Sequence, residues 1–240
     1  ITAIDLSAAT TATTPFTSAT FKNMAVLASV NFGSSSKITT IPYSLFENDS
    51  ALTSLTLPAS ITSIANGNDT TATDGKSPFY NSGLQTIDMS AIKSYATGTT
   101  TWNSVRINNT TMLPVGLFQN LTSLTTVTLK TGTVVIGDNA FNGASSLATV
   151  KENTTSTIAD EASGSGLVIS STMQMINANA FKGTSIETVT FASESSNSLW
   201  FIGQGAFQNA TSLKTVSLSS ANTTSPNTPL SLIHISEPTR

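Results

Sequence analysis

The sequence predicts a β-rich solenoid, a right-handed coil of short parallel strands. The first observation behind this is one apolar spacing that recurs along the chain: a Phe, an aliphatic residue six positions later, then apolar residues three and two further on. Phe21, Leu27, Val30 and Phe32 form the first full instance, and Phe46, Leu52, Leu55 and Leu57 the second; Phe118, Leu124, Val127, Leu129 and Phe207, Leu213, Val216, Leu218 repeat it. The second observation is composition. Of 240 residues, 38% are hydrophobic and only 10% charged, so Thr, Ser and Asn must form most of the surface. Thr is β-branched and suits a pleated strand better than a helix. Self-similarity at a period of about 20–29 residues describes leucine-rich-repeat coils, each too small to bury its own apolar side and stable only when stacked.

Segments of the form apolar-x-x-apolar-x-apolar place strands at residues 1–6, 27–32, 52–57, 84–89, 102–107, 124–129, 186–191 and 213–218. At 147–152 the pattern holds for Leu147 and Val150 and then breaks, with Glu152 in the last inward position. The segment at Trp102, Val105 and Ile107 lacks an upstream Phe at the right distance and reads as a degenerate coil. Period-two alternation at each segment's end puts Val127 and Leu129 on one face and Thr128 on the other, as a half-buried strand requires.

A second extended run lies five residues before the Phe. Ile41, Ile136, Ile176 and Ile202 precede Phe46, Phe141, Phe181 and Phe207 by that distance, and Ile38, Met173 and Leu199 sit three residues earlier still, as Ile61 does before Ile64. Gly137, Gly203, Pro42 and Pro114 follow the aliphatic residue of this run, where a chain reversal uses dihedral freedom or a fixed φ. Ala140, Ala180 and Ala206 precede the Phe, where close coil-to-coil approach favours a small side chain. The resulting spelling, Ile-Gly-x-x-Ala-Phe-x-x-x-x-x-Leu-x-x-Val-x-Leu, is carried best by residues 136–150 and 202–218. It resembles the BspA-like leucine-rich repeat family of bacterial and protist surface proteins, over nearly all of residues 1–218. Family members often carry Cys three residues after the Phe; here that slot holds Met24, Asp49, Leu121, Ala144 and Ala210.

The array is expected over residues 1–220, in about nine coils, followed by a polar tail at 221–240. Phe46, Phe79, Phe118, Phe141, Phe181 and Phe207 are unevenly spaced. The degenerate coil accounts for one wide step, and insertions near 65–77 and 152–168 for two others. Both insertions are rich in Gly, Ser, Thr, Asn and Asp and read as surface loops, which on a rigid scaffold either carry binding or are simply solvated. Ile1, Ile4 and Leu6 trace the last part of a repeat, and residues 230–240 resemble an in-frame translation of a transposase-type sequencing adapter, a natural polar tail being the alternative. The solenoid is therefore expected to be truncated at both ends.

A net charge of −3 and a pI near 5.0 offer no electrostatic footprint for nucleic acid or an anionic membrane. No apolar run reaches the roughly 18–20 residues that span a bilayer, so no direct membrane insertion is expected. Cys is absent, which removes disulfides and thiolate chemistry, and the one His, His234, lies in the tail. That leaves no imidazole for a triad or a metal site. Asp69 with Asp74, and Asp160 with Glu161, are carboxylate pairs that read as solvated surface. The run Asn66, Gly67, Asn68, Asp69 with Asp74 offers oxygens to calcium but lacks the spacing and closing Glu of an EF-hand. With no P-loop, dinucleotide fingerprint or Gly-x-Ser-x-Gly elbow, the chain reads as not an enzyme, with no cofactor and no metal. Sequons at Asn48, Asn68, Asn108, Asn109, Asn120, Asn153 and Asn209, with Asn222 in the tail, are glycan acceptors if the chain is secreted by a eukaryote, but most such matches arise by chance in so Asn- and Thr-rich a chain.

The residue between the last two inward positions of each strand points outward. Asn31, Thr56, Asp88, Arg106, Thr128, Lys151 and Thr190 are therefore the candidate ligand-binding residues, with Asp5 and Ser217 at the ends of the column. The column is expected to run along a concave sheet, nearly neutral, with Asp88 and Arg106 pairing on neighbouring coils. Trp200, Tyr43, Tyr80 and Tyr95 fall at turns or loops and read as partly buried against the coil edge. The resemblance implies a non-catalytic binding module of a cell-surface or secreted protein. Its expected partner is a host or neighbouring-cell surface protein or glycoprotein, held by the strand face or the inserted loops. The mostly short, uncharged column equally fits a structural spacer with no ligand of its own.

Overall fold

The computed structural model describes residues 1–8, 15–67, 76–102, 105–152, 166–191 and 198–217. In chain order the strands are β1 (Ala3–Asp5), β2 (Ser29–Asn31), β3 (Thr40–Ile41), β4 (Ser54–Thr56), β5 (Ser63–Ile64), β6 (Thr86–Asp88), β7 (Thr99–Trp102), β8 (Val105–Asn108) and β9 (Met112–Leu113). They continue with β10 (Thr126–Leu129), β11 (Val135–Ile136), β12 (Thr149–Glu152), β13 (Gly166–Ile169), β14 (Met175–Ile176), β15 (Thr188–Phe191), β16 (Phe201–Ile202) and β17 (Thr215–Val216). The longer strands form a seven-stranded parallel sheet in the order β17-β15-β13-β12-β10-β6-β4, with β1-β2 as a separate parallel pair. The other two-residue strands, β17 apart, form a second parallel row, split into β16-β14-β11-β9 and β3-β5. This is the predicted β-rich leucine-rich-repeat solenoid: two strand rows with one apolar core between them.

The core is a row of Phe rings. Phe21, Phe46, Phe79, Phe118, Phe141, Phe181 and Phe207 stack in succession with centroids 5.0 to 6.3 Å apart and planes within 19° of parallel. The Leu and Ile residues of the repeat flank the rings, and most are fully buried. A ring spacing near the strand spacing of about 4.8 Å lets every coil contribute one ring and one strand to the same layer.

The turn that carries each Phe has a fixed backbone signature. Two residues after the ring, the chain is left-handed at Asn23, Asn48, Asn81, Asn120, Gly143, Gly183 and Asn209. Asn and Gly are the residues that enter this region at low strain. Two residues before the ring, Ser44, Gly116, Asn139, Asn179 and Gly205 do the same. The alternation aims three backbone N–H groups at the next coil: those of Asn139, Phe141 and Gly143 donate to the carbonyls of Ala178, Ala180 and Lys182 at 2.8 to 2.9 Å. Side chains add a second ladder at the left-handed position, where Asn81 Nδ2 donates to Asn48 Oδ1 at 2.8 Å and Asn48 Nδ2 to Asn23 Oδ1 at 2.7 Å.

Close approach explains the Gly after the second run. A Cβ on Gly137 would lie 2.5 Å from the Leu113 carbonyl oxygen, and one on Gly203 would lie 2.5 Å from the Ala178 nitrogen. The N–H at this position also closes the short-strand row: Gly137 donates to Leu113 O, Asn177 to Ile136 O and Gly203 to Ile176 O. Pro114 occupies the same position after Leu113 and has no N–H to give. The row is broken there, between β5 and β9.

Two expectations require correction. The segment at 102–107 is not a degenerate coil. It belongs to an antiparallel hairpin of β7 and β8, with Thr101 opposite Arg106. Phe79 and Phe118 stack directly across this excursion at 5.8 Å. Second, the expected insertion at 152–168 overlaps two strands of the long sheet: Glu152 ends β12, and Gly166 opens β13, which pairs with β12 through Val150 and Leu167. The part of it between residues 153 and 165, and residues 68–75 of the other insertion, lie outside the described residues. So do Asp69, Asp74, Asp160, Glu161, Leu218 and the tail with His234.

Truncating Phe141, which is fully buried with a ring on each side, should destabilise the chain by about 3–5 kcal/mol as Phe141→Ala. Gly143→Ala should also be harmful, because φ is 77° and the new Cβ would lie 2.4 Å from Asn120 Oδ1, whereas Asn120→Gly should be nearly neutral. Urea unfolding of the three variants checks both statements.

Candidate functional site

The ladder register defines the outward column. Thr56 lies opposite Asp88, Asp88 opposite Thr128, and Thr128 opposite Lys151; Val168 lies opposite Thr190. Val168, on the strand that sequence reading did not find, continues the column after Lys151 and gives it an apolar position. Arg106 does not belong to it. Its guanidinium lies on the hairpin, with Nε donating to Thr99 Oγ1 at 3.1 Å, so the expected pairing with Asp88 does not occur. Asn31 sits on β2, in the separate pair with β1, where its Nδ2 donates to Asp5 Oδ1 at 3.1 Å.

Three of the polar column residues also close the turn that follows their own strand. Asp5 Oδ1 accepts from Ser7 N at 2.9 Å, Asn31 Oδ1 from Gly33 N at 3.0 Å and Asp88 Oδ1 from Ser90 N at 2.8 Å. These are Asx turns, in which a side chain takes the place of a backbone acceptor. The bonds from Ser7 hold the Asp5 carboxyl below its usual range. Thr56, Lys151 and Thr190 are exposed, and Thr128 and Val168 half-buried.

Between β2 and β4 the long-strand face is split, since no ladder joins the two strands. A cavity of about 580 Å³ opens at the split, lined by Asn31 and Thr56 of the column, the hydroxyls of Ser29, Ser34 and Ser54, and the apolar groups of Val30, Leu55, Pro58, Ala59 and Ala91. It brings two predicted site residues to one uncharged recess.

Among the described residues, three acids are buried under the surface. Glu47, 2% exposed, is bridged by Lys22 at 3.0 Å and Lys76 at 3.2 Å, and so ties three coils together; Lys76 also lies 4.3 Å over the Tyr80 ring. Asp49 fills the slot three residues after its Phe. Its Oδ1 accepts from Met24 N at 2.8 Å, while Oδ2 is buried with no partner among the described residues. Burial pushes this carboxyl up to about 6, although the Met24 N–H favours the charged form.

Glu152, which interrupts the apolar pattern, is an inward acceptor: it takes bonds from Gly132 N, Thr133 N and Ser170 Oγ at 2.9 to 3.1 Å. Thr133 Oγ1 in turn meets the hydroxyl of Tyr95 at 3.0 Å, and that hydroxyl accepts from Lys130 N. Tyr95 is fully buried rather than set against the coil edge, and burial raises its phenol above the ordinary range. The network serves the backbone of the turn at Lys130–Thr133. The candidate surface itself is thus a polar, nearly neutral strand face on a stacked-coil scaffold.

That combination defines a leucine-rich-repeat protein. The model of the BspA-type leucine-rich repeat region matches the chain in six copies, over residues 4–94, 66–163, 90–197 and 164–237. The chain belongs to this family. Two solved structures align with 90% of it: a leucine-rich repeat protein from Bacteroides ovatus, at 17% identity and a TM-score of 0.49, and a leucine-rich cell surface protein from Faecalibacterium prausnitzii, at 18% and 0.47. The alignments cover 55% and 47% of those chains, so this chain spans about half their length. No curated protein matches in sequence. Among the described residues, no helix is long and apolar enough to cross a membrane.

The buried acids give opposite expectations. The unfolded Asp49 carboxyl titrates near 3.8 and the folded one near 6, so the folded state holds this proton more tightly. Asp49 therefore favours folding most below pH 4, and that contribution is lost as the pH rises through 6. Asp49→Asn should flatten the fall in stability between pH 4 and 7 and raise stability at pH 7 by an amount on the order of 1–3 kcal/mol. Glu152→Leu, which leaves two backbone N–H groups and a hydroxyl without their acceptor, should lower stability by about 2–4 kcal/mol, and Glu152→Gln by less. Thermal melts across that pH range measure both.

Proposed function

We propose that this chain is a non-catalytic binding module of a cell-surface or secreted protein. It adheres through its strand face to a protein or glycoprotein on a host or neighbouring cell. The observation that carries this reading is the ordered column of Thr56, Asp88, Thr128, Lys151, Val168 and Thr190, which offers spaced, mostly short side chains on a rigid parallel ladder. Solenoids as a class use such extended faces for large ligands. A nearly neutral face suits a partner recognised by shape, main-chain polarity and hydroxyl contacts more than by charge. Asn31 and Thr56 add a recess in which one partner side chain can be buried. Asp88 and Asn31 are poor places to probe the face, because substitution there also removes a turn acceptor.

The test is saturable binding of the purified chain to immobilised extracellular-matrix proteins, mucins and glycans. Thr128→Arg and Lys151→Glu should each weaken binding about tenfold or more at unchanged melting temperature, and deletion of residues 154–164, which spares β12 and β13, should leave it intact. Loss on the deletion alone would move the site to the inserted loop. No binding by a folded sample would favour the spacer reading.

A further inference from the structure

The break between β5 and β9 leaves a second recess, on the short-strand side and away from the column. It is a groove of about 480 Å³. Its walls are Pro42, Tyr43 and Ala65 on one side and Met112 and Val115 on the other, with Ala96 at the base of the hairpin. All six are half-buried.

The opening is written into the sequence at two points. Pro114 cannot donate the N–H that closes this row at Gly137, Asn177 and Gly203, and the β7–β8 hairpin leaves the coil at the same place. Asn66, Thr100 and Asn109 supply amide and hydroxyl groups at the rim, where Thr100 Oγ1 donates to Asn109 Oδ1 at 2.8 Å. Among the described residues, no Asp, Glu, Lys, Arg or His lines the groove.

A charged ligand would lose its hydration there with no opposite charge in the described wall to replace it. An apolar one would cover side chains that water now meets. The volume falls within the range of about 300–1,000 Å³ usual for small-molecule sites, and an apolar wall with a few polar groups at the rim is their usual lining. We infer that this groove is a binding site for an uncharged, mostly apolar small molecule, separate from the strand-face site.

The neutral fluorophore N-phenyl-1-naphthylamine is the probe. Titrated against the full chain, it should show saturable, one-to-one fluorescence enhancement. Ala96→Phe, which fills the groove from the hairpin side, and Thr100→Trp, which covers it from an exposed position, should each weaken the probe about tenfold or more. Thr128→Arg on the strand face should leave it unchanged. Circular dichroism and melting confirm that each variant is folded, and if Ala96→Phe is not, Thr100→Trp decides. Absence of saturable enhancement, equal binding by a folded filled variant, or equal weakening by Thr128→Arg would overturn the inference. None of these outcomes depends on whether the strand face binds a partner.

Discussion

The coil-to-coil registration at the Phe turns is what the rest of the structure depends on. No coil has enough apolar surface to fold alone, so each must present its neighbour with a complete set of contacts. The turn does this by alternating right- and left-handed backbone around the ring. That flattens the chain and aims three N–H groups along the array axis. The rings then stack at 5.0 to 6.3 Å, and the strands on both sides fall into register because their turns already are. At about 1 kcal/mol net for each hydrogen bond, the three bonds of one turn rival the burial of a large side chain.

This arrangement separates what must be kept from what can vary. The chain leaves the stack between Phe79 and Phe118, builds an antiparallel hairpin, and returns with the two rings still in contact. Between Phe141 and Phe181, which are 5.0 Å apart, it passes through two strands of the long sheet, β12 and β13. That face therefore gains one strand spacing, about 4.8 Å, over a single ring step. Such an excess lengthens the strand side relative to the Phe side and works against the concave curvature expected of it there.

Legibility in the sequence followed the same division. Residues whose role is to be apolar at a fixed spacing were readable, because the period of the array is printed in them. The β7–β8 hairpin is hard to read, since Trp102, Val105 and Ile107 share the spacing of a repeat strand, and the missing Phe upstream is the one sign against it. β13 was hidden because Leu167 and Ile169 have neither the Leu nor the Phe that anchor other strands. The Asn or Gly two residues after each stacked Phe is visible throughout, yet its meaning is a dihedral angle, and residue spacing does not carry one. Glu152 reads as a defect in the apolar pattern because its compensation comes from the backbone N–H groups of Gly132 and Thr133, distant in sequence.

The candidate column was legible in composition but not in role. The outward position is fixed by period two, so Asn31, Thr56, Asp88, Thr128, Lys151 and Thr190 could be named from spacing. Arg106 could not be excluded without the topology. What the geometry adds is that Asn31 and Asp88 are held by the turns they close, with their acceptor oxygens already aimed at the backbone of Gly33 and Ser90. Where such a residue sits, a partner must either accept a fixed side chain or break the turn. The adaptable part of the face is then the stretch from Thr128 through Lys151 and Val168 to Thr190. There a charge, a methyl-bearing surface and two hydroxyls stand on consecutive strands, β13 among them.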